Sequence, residues 1–171
     1  LRLASRLATS LRPKELLSQG NALAARLKEY VPVMYASRAN QAIAYNWKIK
    51  LNETGKIPAF YNVLPELNHN EMTGFDVRDA SRALAKPFYF LFLSDKKDHP
   101  RVVKRMRILE GLYRDRQLPV ETLPLTGKNV FEKIFSSLLL ADWTAVAIAD
   151  GYGLESEQVP MVEEFKALMK K

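Results

Sequence analysis

The sequence predicts an α/β fold: a three-layer αβα sandwich with a parallel sheet, preceded by a helical arm. Three observations predict it. Short apolar runs alternate with segments of helical period, the order of βαβ units joined by right-handed crossovers. One run, FYFLFL at 88–93, is apolar at every position, as a parallel strand covered on both faces requires. The chain has 171 residues, 47% of them hydrophobic, which is the size of one domain with a full core.

Taken in order, LRLASRLATSLRPK places Leu3, Leu7 and Leu11 at i, i+4 and i+8, an amphipathic arm that continues into PKELLSQGNALAARLKEY. VPVMYAS (31–37) reads as a short buried strand ending in small polar residues. A helix follows, with Ala39, Ile43, Trp47 and Leu51 four apart and Ser37 placed to cap it, and its pattern breaks at Gly55. PAFYNVL is a second strand and leads into a polar turn. After FYFLFL comes a helix over 101–116, then the strand VETLPL (120–125), a long helix from about Lys128 to Ala149, and a last helix opened by Pro160. Ligands of such folds collect beyond the carboxyl ends of the strands, where Ser37, the turn after residue 64 and Ser94-Asp95 fall.

The formal charge is +7, which favours anionic partners. The densest basic run, RVVKRMRILEGLYRDRQ, carries Val102, Met106, Leu109 and Tyr113 at helical spacing, so its arginines form a solvated outer face. Without interleaved aromatics the solvated face outweighs a nucleic-acid groove, a reading that rests on charge alone and would show as steep salt dependence, so no nucleic-acid partner is expected. The longest apolar stretch, IFSSLLLADWTAVAIA, falls short of the roughly 20 residues of a membrane span and contains Asp142, which predicts a core helix and no membrane partner. No cysteine is present, which removes disulfides and thiolate chemistry and suits a cytoplasmic location. No GxGxxG, GxxxxGK[ST] or GxSxG occurs, and two histidines thirty residues apart make a poor zinc set. Neither a metal nor a cofactor is expected.

Acid–base chemistry remains. PELNHNEMTGF (65–75) packs Glu66, Asn68, His69, Asn70 and Glu71 between a proline and a glycine. Read from the residues alone, His69 is either a proton-transfer group or a histidine hydrogen-bonded within its own loop, where Asn68 and Asn70 offer partners. Glu53, in KIKLNETGK, is either a base or a solvated carboxylate at a helix end, and Lys166, in EEFKALMKK, is by itself a surface charge.

The stretch AYNWKIKLNETGKIPAFYNVLPELNHNEMTGF resembles the signature region of bifunctional phosphoglucose/phosphomannose isomerases, members of the sugar-isomerase (SIS) domain superfamily, whose pattern is close to RWKxQxNENAKxPAxxxxxPELNHNExxGW. VPMVEEFKALMKK is similar to that family's terminal helix. The resemblance implies a SIS domain of flavodoxin-like topology over 29–171, the second of two such domains, with residues 1–28 as the interdomain arm. It implies interconversion of glucose or mannose 6-phosphate with fructose 6-phosphate through a cis-enediolate. By position, Glu53 matches the family's base, His69 its ring-opening histidine and Lys166 the lysine that assists ring opening. Ser37 and Asn68 are the candidate substrate-binding residues. Implied partners are the hexose 6-phosphate, an upstream SIS domain holding the phosphate loop and an enediolate-stabilising arginine, and a second copy of the chain, with His69 acting across a homodimer interface.

The family's NENAK reads NETGK here, so Thr54 and Gly55 replace Asn and Ala, and Gly55 is expected to end the helix early and alter how firmly Glu53 is held. A non-catalytic sugar-phosphate-binding module is the alternative, although a sensor needs no base and ring opener together.

Overall fold

The computed structural model describes residues 5, 7 and 11–170. The stripe expected at Leu3, Leu7 and Leu11 therefore lies partly outside the described residues. Four parallel strands, β1 (Val31–Ser37), β2 (Phe60–Leu64), β3 (Phe88–Ser94) and β4 (Val120–Pro124), form one sheet in the order β2-β1-β3-β4. β1 pairs with β2 from Val33↔Phe60 to Ser37↔Leu64, and with β3 from Val31↔Phe88. This is the 2-1-3-4 order of a flavodoxin-like sheet, and its switch point lies between β1 and β3.

Period-two alternation sorts the strand side chains into two cores. Met34, Ala36, Tyr89, Leu91 and Leu93 face one layer, built from α1 (Pro13–Leu27), α2 (Gln41–Glu53) and the later helix Val130–Gly151. Val33, Tyr35, Phe90 and Phe92 face the other, where α3 (Glu71–Gly74), α4 (Arg82–Ala85) and α5 (Pro100–Asp115) cover them through Met72, Ala85, Met106, Leu109 and Tyr113. The basic run thus lies on α5, with Met106, Leu109 and Tyr113 inward as the spacing predicts. Helix Val130–Gly151 is α6. The last helix, Pro160–Leu168, is α7 and has no buried residue.

Local chemistry sets the helix ends. Pro13 and Pro100 open α1 and α5, where a missing N–H costs nothing. The His99 ring nitrogen accepts from the Arg101 N–H at 3.2 Å, which uses the second histidine as a cap. Asn129 caps α6 by accepting from Glu132 N at 3.0 Å, while the Glu132 carboxylate accepts from Lys128 N at 2.8 Å. These caps extend α6 to 22 residues, beyond the apolar stretch visible in the sequence and long enough to meet the length of a membrane span. Inside α6, Asp142 pairs with Lys50 at 2.8 Å, and Ala141, Ala145 and Ile148 are buried in the core. The expected capping role of Ser37 is not what forms: its hydroxyl makes no cap bond and is directed to Asp98.

Residues 13–27, expected to belong to an arm, pack into the same layer as α6. Leu23, Ala24 and Leu27 are buried. Close approach is possible because Gly20 is buried against α6, where a Cβ would stand 2.7 Å from Trp143 Cβ and 3.0 Å from the Thr144 backbone N.

Gly20 tests that contact with two effects of opposite sign. In an open helix Gly→Ala stabilises by about 1 kcal/mol. Here the added methyl meets backbone that cannot swing aside, so Gly20→Ala is expected to destabilise by about 1–3 kcal/mol. A urea midpoint that rises in Gly20→Ala would show that α1 and α6 are not in close register.

Candidate functional site

Glu53 is the last residue of α2, and its side chain is exposed. The segment that leads from it into β2 is pinned at several points. Thr54 N and Gly55 N both donate to Lys50 O, at 2.9 and 3.0 Å. Asn52 Nδ2 donates to Ile57 O at 2.9 Å and ties the loop back to the helix. The helix ends just before Gly55, as expected, but by the glycine's size and not by a left-handed torsion. Gly55 is buried where a Cβ would stand 2.8 Å from Leu51 O, and its φ is not positive. The left-handed residue that closes the helix is Lys56, at φ 59°. A non-glycine residue in the left-handed region costs about 1 kcal/mol. Lys56 offsets it with its own ammonium, which donates to Glu53 O at 2.5 Å and to Gln158 O. Gln158 lies two residues before α7, so Lys56 joins the Glu53 corner to the helix that carries Lys166.

His69 sits at the other end of β2. It closes the 3-10 turn Glu66–Asn68, with His69 N donating to Glu66 O at 2.9 Å. Its imidazole is exposed and makes no hydrogen bond among the described residues. The asparagines expected as partners are engaged elsewhere or turned inward. Asn70 accepts from Glu71 N at 2.5 Å and donates to Glu66 at 3.3 Å. Asn68 Oδ1 is buried with no partner.

The turn is clamped to the sheet from below. Leu67 is fully buried. Glu71 Oε1 accepts from the Tyr35 hydroxyl at 2.5 Å, and Glu71 Oε2 accepts from Asn62 Nδ2 at 2.5 Å. The Tyr113 hydroxyl stands 3.3 Å from that of Tyr35 and, since Tyr35 gives its proton to Glu71, acts as the donor. Burial pushes the Tyr35 phenol far up, with the Tyr113 and Glu71 charges adding to it. Burial likewise pushes Tyr113 up to about 12, Tyr35's hydrogen bond working against the shift. Both phenols remain proton donors at neutral pH, which is what a carboxylate clamp requires. Sequence reasoning placed Glu71 beside His69 but missed its anchoring role; the tyrosine at the centre of a buried strand was the available signal.

Lys166 lies on exposed α7 and pairs with Glu163 at 2.7 Å, with both side chains more than half exposed. Such a pair contributes little to stability. Ser37, at the end of β1, is 3% exposed and donates to Asp98 Oδ1 at 2.6 Å.

The expected residues thus form two groups. Glu53 and the start of Lys166's helix meet at the amino end of β2, through Lys56 and Gln158. His69 and Asn68 lie beyond the carboxyl end of β2, and Ser37 is the last residue of β1 at the same edge of the sheet. Five residues of β2 separate Glu53's corner from His69's turn, a span of about 13 Å at roughly 3.3 Å per residue. One chain does not bring the two groups together.

Residues 17–169 match the family described as the bacterial phospho-glucose isomerase C-terminal SIS domain. The bifunctional phosphoglucose/phosphomannose isomerase of Aquifex aeolicus is 32% identical over 158 residues, 92% of this chain and 48% of that protein. The protein of the same name from Thermoplasma volcanium is 31% identical, over 81% of this chain and 42% of its own length. The chain therefore spans about half the length of these relatives. A solved structure of a glucose-6-phosphate isomerase like protein from Thermus thermophilus superposes with a TM-score of 0.61 at 17% identity, over 82% of this chain and 45% of that one. That likeness shows the fold alone.

The two pinned corners can each be tested by hydrogen exchange. Tyr35→Phe removes the donor to Glu71 and leaves a carboxylate short of a partner, so it is expected to cost about 1–3 kcal/mol and to speed amide exchange across 66–74. Unchanged exchange there would mean the clamp does not hold the turn. Lys56→Met removes both carbonyl contacts and is expected to accelerate exchange over 155–168 while leaving the sheet protected. Slow exchange in that segment would show that α7 is held by other means.

Proposed function

The chain belongs to the bacterial phospho-glucose isomerase C-terminal SIS domain family, and from that premise we propose that it is the catalytic half of an aldose–ketose isomerase acting on hexose 6-phosphates. The fold and the relatives' names support a phosphosugar isomerase; the division of labour below is our assignment.

Glu53 is the base. Its carboxylate takes the proton from C-2 of the open-chain aldose, and the electron pair left behind forms the C-1–C-2 double bond of a cis-enediolate. The C-1 carbonyl electron pair moves onto O-1 as the enediolate forms; the carboxylic acid then returns its proton to C-1 while the C-2 hydroxyl proton passes to O-1, leaving a ketone at C-2 and a hydroxyl on C-1. His69 serves the earlier step: it accepts the proton of the C-1 hydroxyl and supplies one to the ring oxygen as the C-1–O-5 bond breaks. Lys166 assists the opening with its positive charge. Asn68, beside His69, is a substrate-binding candidate whose buried Oδ1 is left without a partner.

The observation that carries this assignment is the pairing of rigidity with availability. Glu53 is exposed on a corner pinned by Lys56 and Asn52, and His69 is exposed and unbonded on a turn clamped by Tyr35, Asn62 and Leu67. Catalytic groups held this way lose little entropy in reaching the substrate. Because the two lie at opposite ends of β2, the complete site is assembled between chains, His69 of one copy reaching the Glu53 corner of another. The phosphate and the enediolate charge are assigned to an upstream SIS domain. Helix α7 supports such a neighbour, since Met161, Val162, Phe165, Leu168 and Met169 expose an apolar stripe.

With the upstream domain joined to this chain, Glu53→Gln is expected to lower conversion of glucose 6-phosphate to fructose 6-phosphate by about a hundredfold or more while substrate still binds. Turnover that survives in Glu53→Gln would overturn the assignment of the base. Mixing Glu53→Gln with His69→Ala protein should restore activity lost by each alone, because one hybrid site then holds both intact groups. No recovery from mixed and re-equilibrated copies would place both residues in one chain's site.

A further inference from the structure

A second group of polar residues lies beyond the carboxyl ends of β1, β3 and β4 and takes no part in the chemistry above. A cleft of about 530 Å³ opens there, a volume typical of small-molecule sites. It is set apart from Glu53 by the length of α2, roughly 20 Å for 13 residues.

Its floor is built from buried side chains. Asn40 is 1% exposed, Asp95 5% and Asp98 9%. Lys133, from the second turn of α6, donates to Asp95 Oδ2 at 2.8 Å and to Asn40 Oδ1 at 2.7 Å. Asn40 Nδ2 in turn reaches Ser37 Oγ and Asp98 Oδ1, both at 3.1 Å. Burial works to raise the Asp95 carboxyl, but Lys133, the Lys97 N–H and Asn40 outweigh it and hold the group ionised, below the usual carboxylate value. Within this network one acceptor is left over: Asp98 Oδ2 is buried and has no partner. A buried carboxylate oxygen in that condition calls for an O–H or N–H donor.

The rim has the opposite character. Lys96 and Lys97 are exposed, and neither ammonium is paired among the described residues. Facing them is the amino end of the 22-residue α6, which carries partial positive charge. Gly127 lets the preceding loop lie against that helix end, since a Cβ there would run into the Lys133 backbone.

We propose that this cleft is a second ligand site, selective for a small phosphorylated polyol. The phosphate lies between Lys96, Lys97 and the start of α6, and hydroxyl groups donate to Asp98 and Asp95 in the floor. A bare anion fits poorly, because two carboxylates form the base of the cleft. A metal ion fits poorly as well: Lys133 already places a positive charge against Asp95, and no group of three metal-ligating side chains occurs among the described residues. A ligand with negative charge at one end and hydroxyl donors at the other satisfies both halves.

Titration calorimetry of the protein with glycerol 3-phosphate, inorganic phosphate and glycerol tests the assignment. Glycerol 3-phosphate should bind more tightly than either fragment. Lys96→Ala/Lys97→Ala, two exposed positions that leave the floor intact, should weaken it by roughly tenfold or more. Asp98→Asn should bring its affinity close to that of inorganic phosphate. The proposal is overturned if glycerol 3-phosphate gives no saturable binding, if it binds no better than inorganic phosphate, or if the double lysine variant binds as well as the parent.

Discussion

Everything in this molecule depends on a four-stranded parallel sheet being covered on both faces. Met34, Ala36, Leu91 and Leu93 are sealed under one helical layer, and Val33, Phe90 and Phe92 under the other. No face of β1 or β3 is left for water, so polar chemistry is displaced to the strand ends. Tyr35 is the exception within β1, and its consequence reaches the site. A fully buried phenol must find an acceptor, and Glu71 is the acceptor it finds. Glu71 is two residues beyond His69 in the same turn. The need to satisfy one hydroxyl in the core therefore fixes where an imidazole stands at the surface, a direct link from packing to chemistry.

The strands and the main helices were legible because their signals are local. FYFLFL is apolar without a break, VPVMYAS ends where β1 ends, and the 101–116 segment keeps its inward residues at helical spacing. Glu53 and His69 were singled out by a resemblance that runs continuously over about thirty residues. What the sequence concealed are pairings between distant residues. Tyr35 and Glu71 are 36 positions apart, and Lys133 and Asn40 are 93 apart, so no periodicity in either segment announces the other. Ser37 was misread as a cap for a similar reason. Its hydroxyl has a local role available, but Asp98, 61 positions away, is a charged and buried acceptor and wins the proton.

Gly55 and Lys56 show how propensity yields to tertiary context. Glycine after a helix is the expected left-handed residue, yet here the left-handed position falls one residue later, on a lysine. The reason is spatial: Gly55 is buried against the Leu51 carbonyl, where a side chain does not fit. Glycine is required at that position for its size, and the unfavourable torsion passes to a residue whose side chain recovers the cost through the Glu53 and Gln158 carbonyls.

That same lysine defines what remains adjustable. Helix α7 has nine residues, fewer than the roughly 12–15 at which an isolated helix becomes even marginally stable in water. It buries no residue of its own, and its apolar stripe lies open. Its beginning is anchored by the Lys56 ammonium, which donates to Gln158 O, while Met161, Phe165 and Met169 stay exposed. Lys166 stands one residue beyond the exposed Phe165. The helix that carries Lys166 is thus tied to the Glu53 corner through the Lys56–Gln158 contact that precedes it. The corner at Glu53 is held by several hydrogen bonds, whereas the helix that carries Lys166 is tied down at its beginning and leaves its apolar residues exposed.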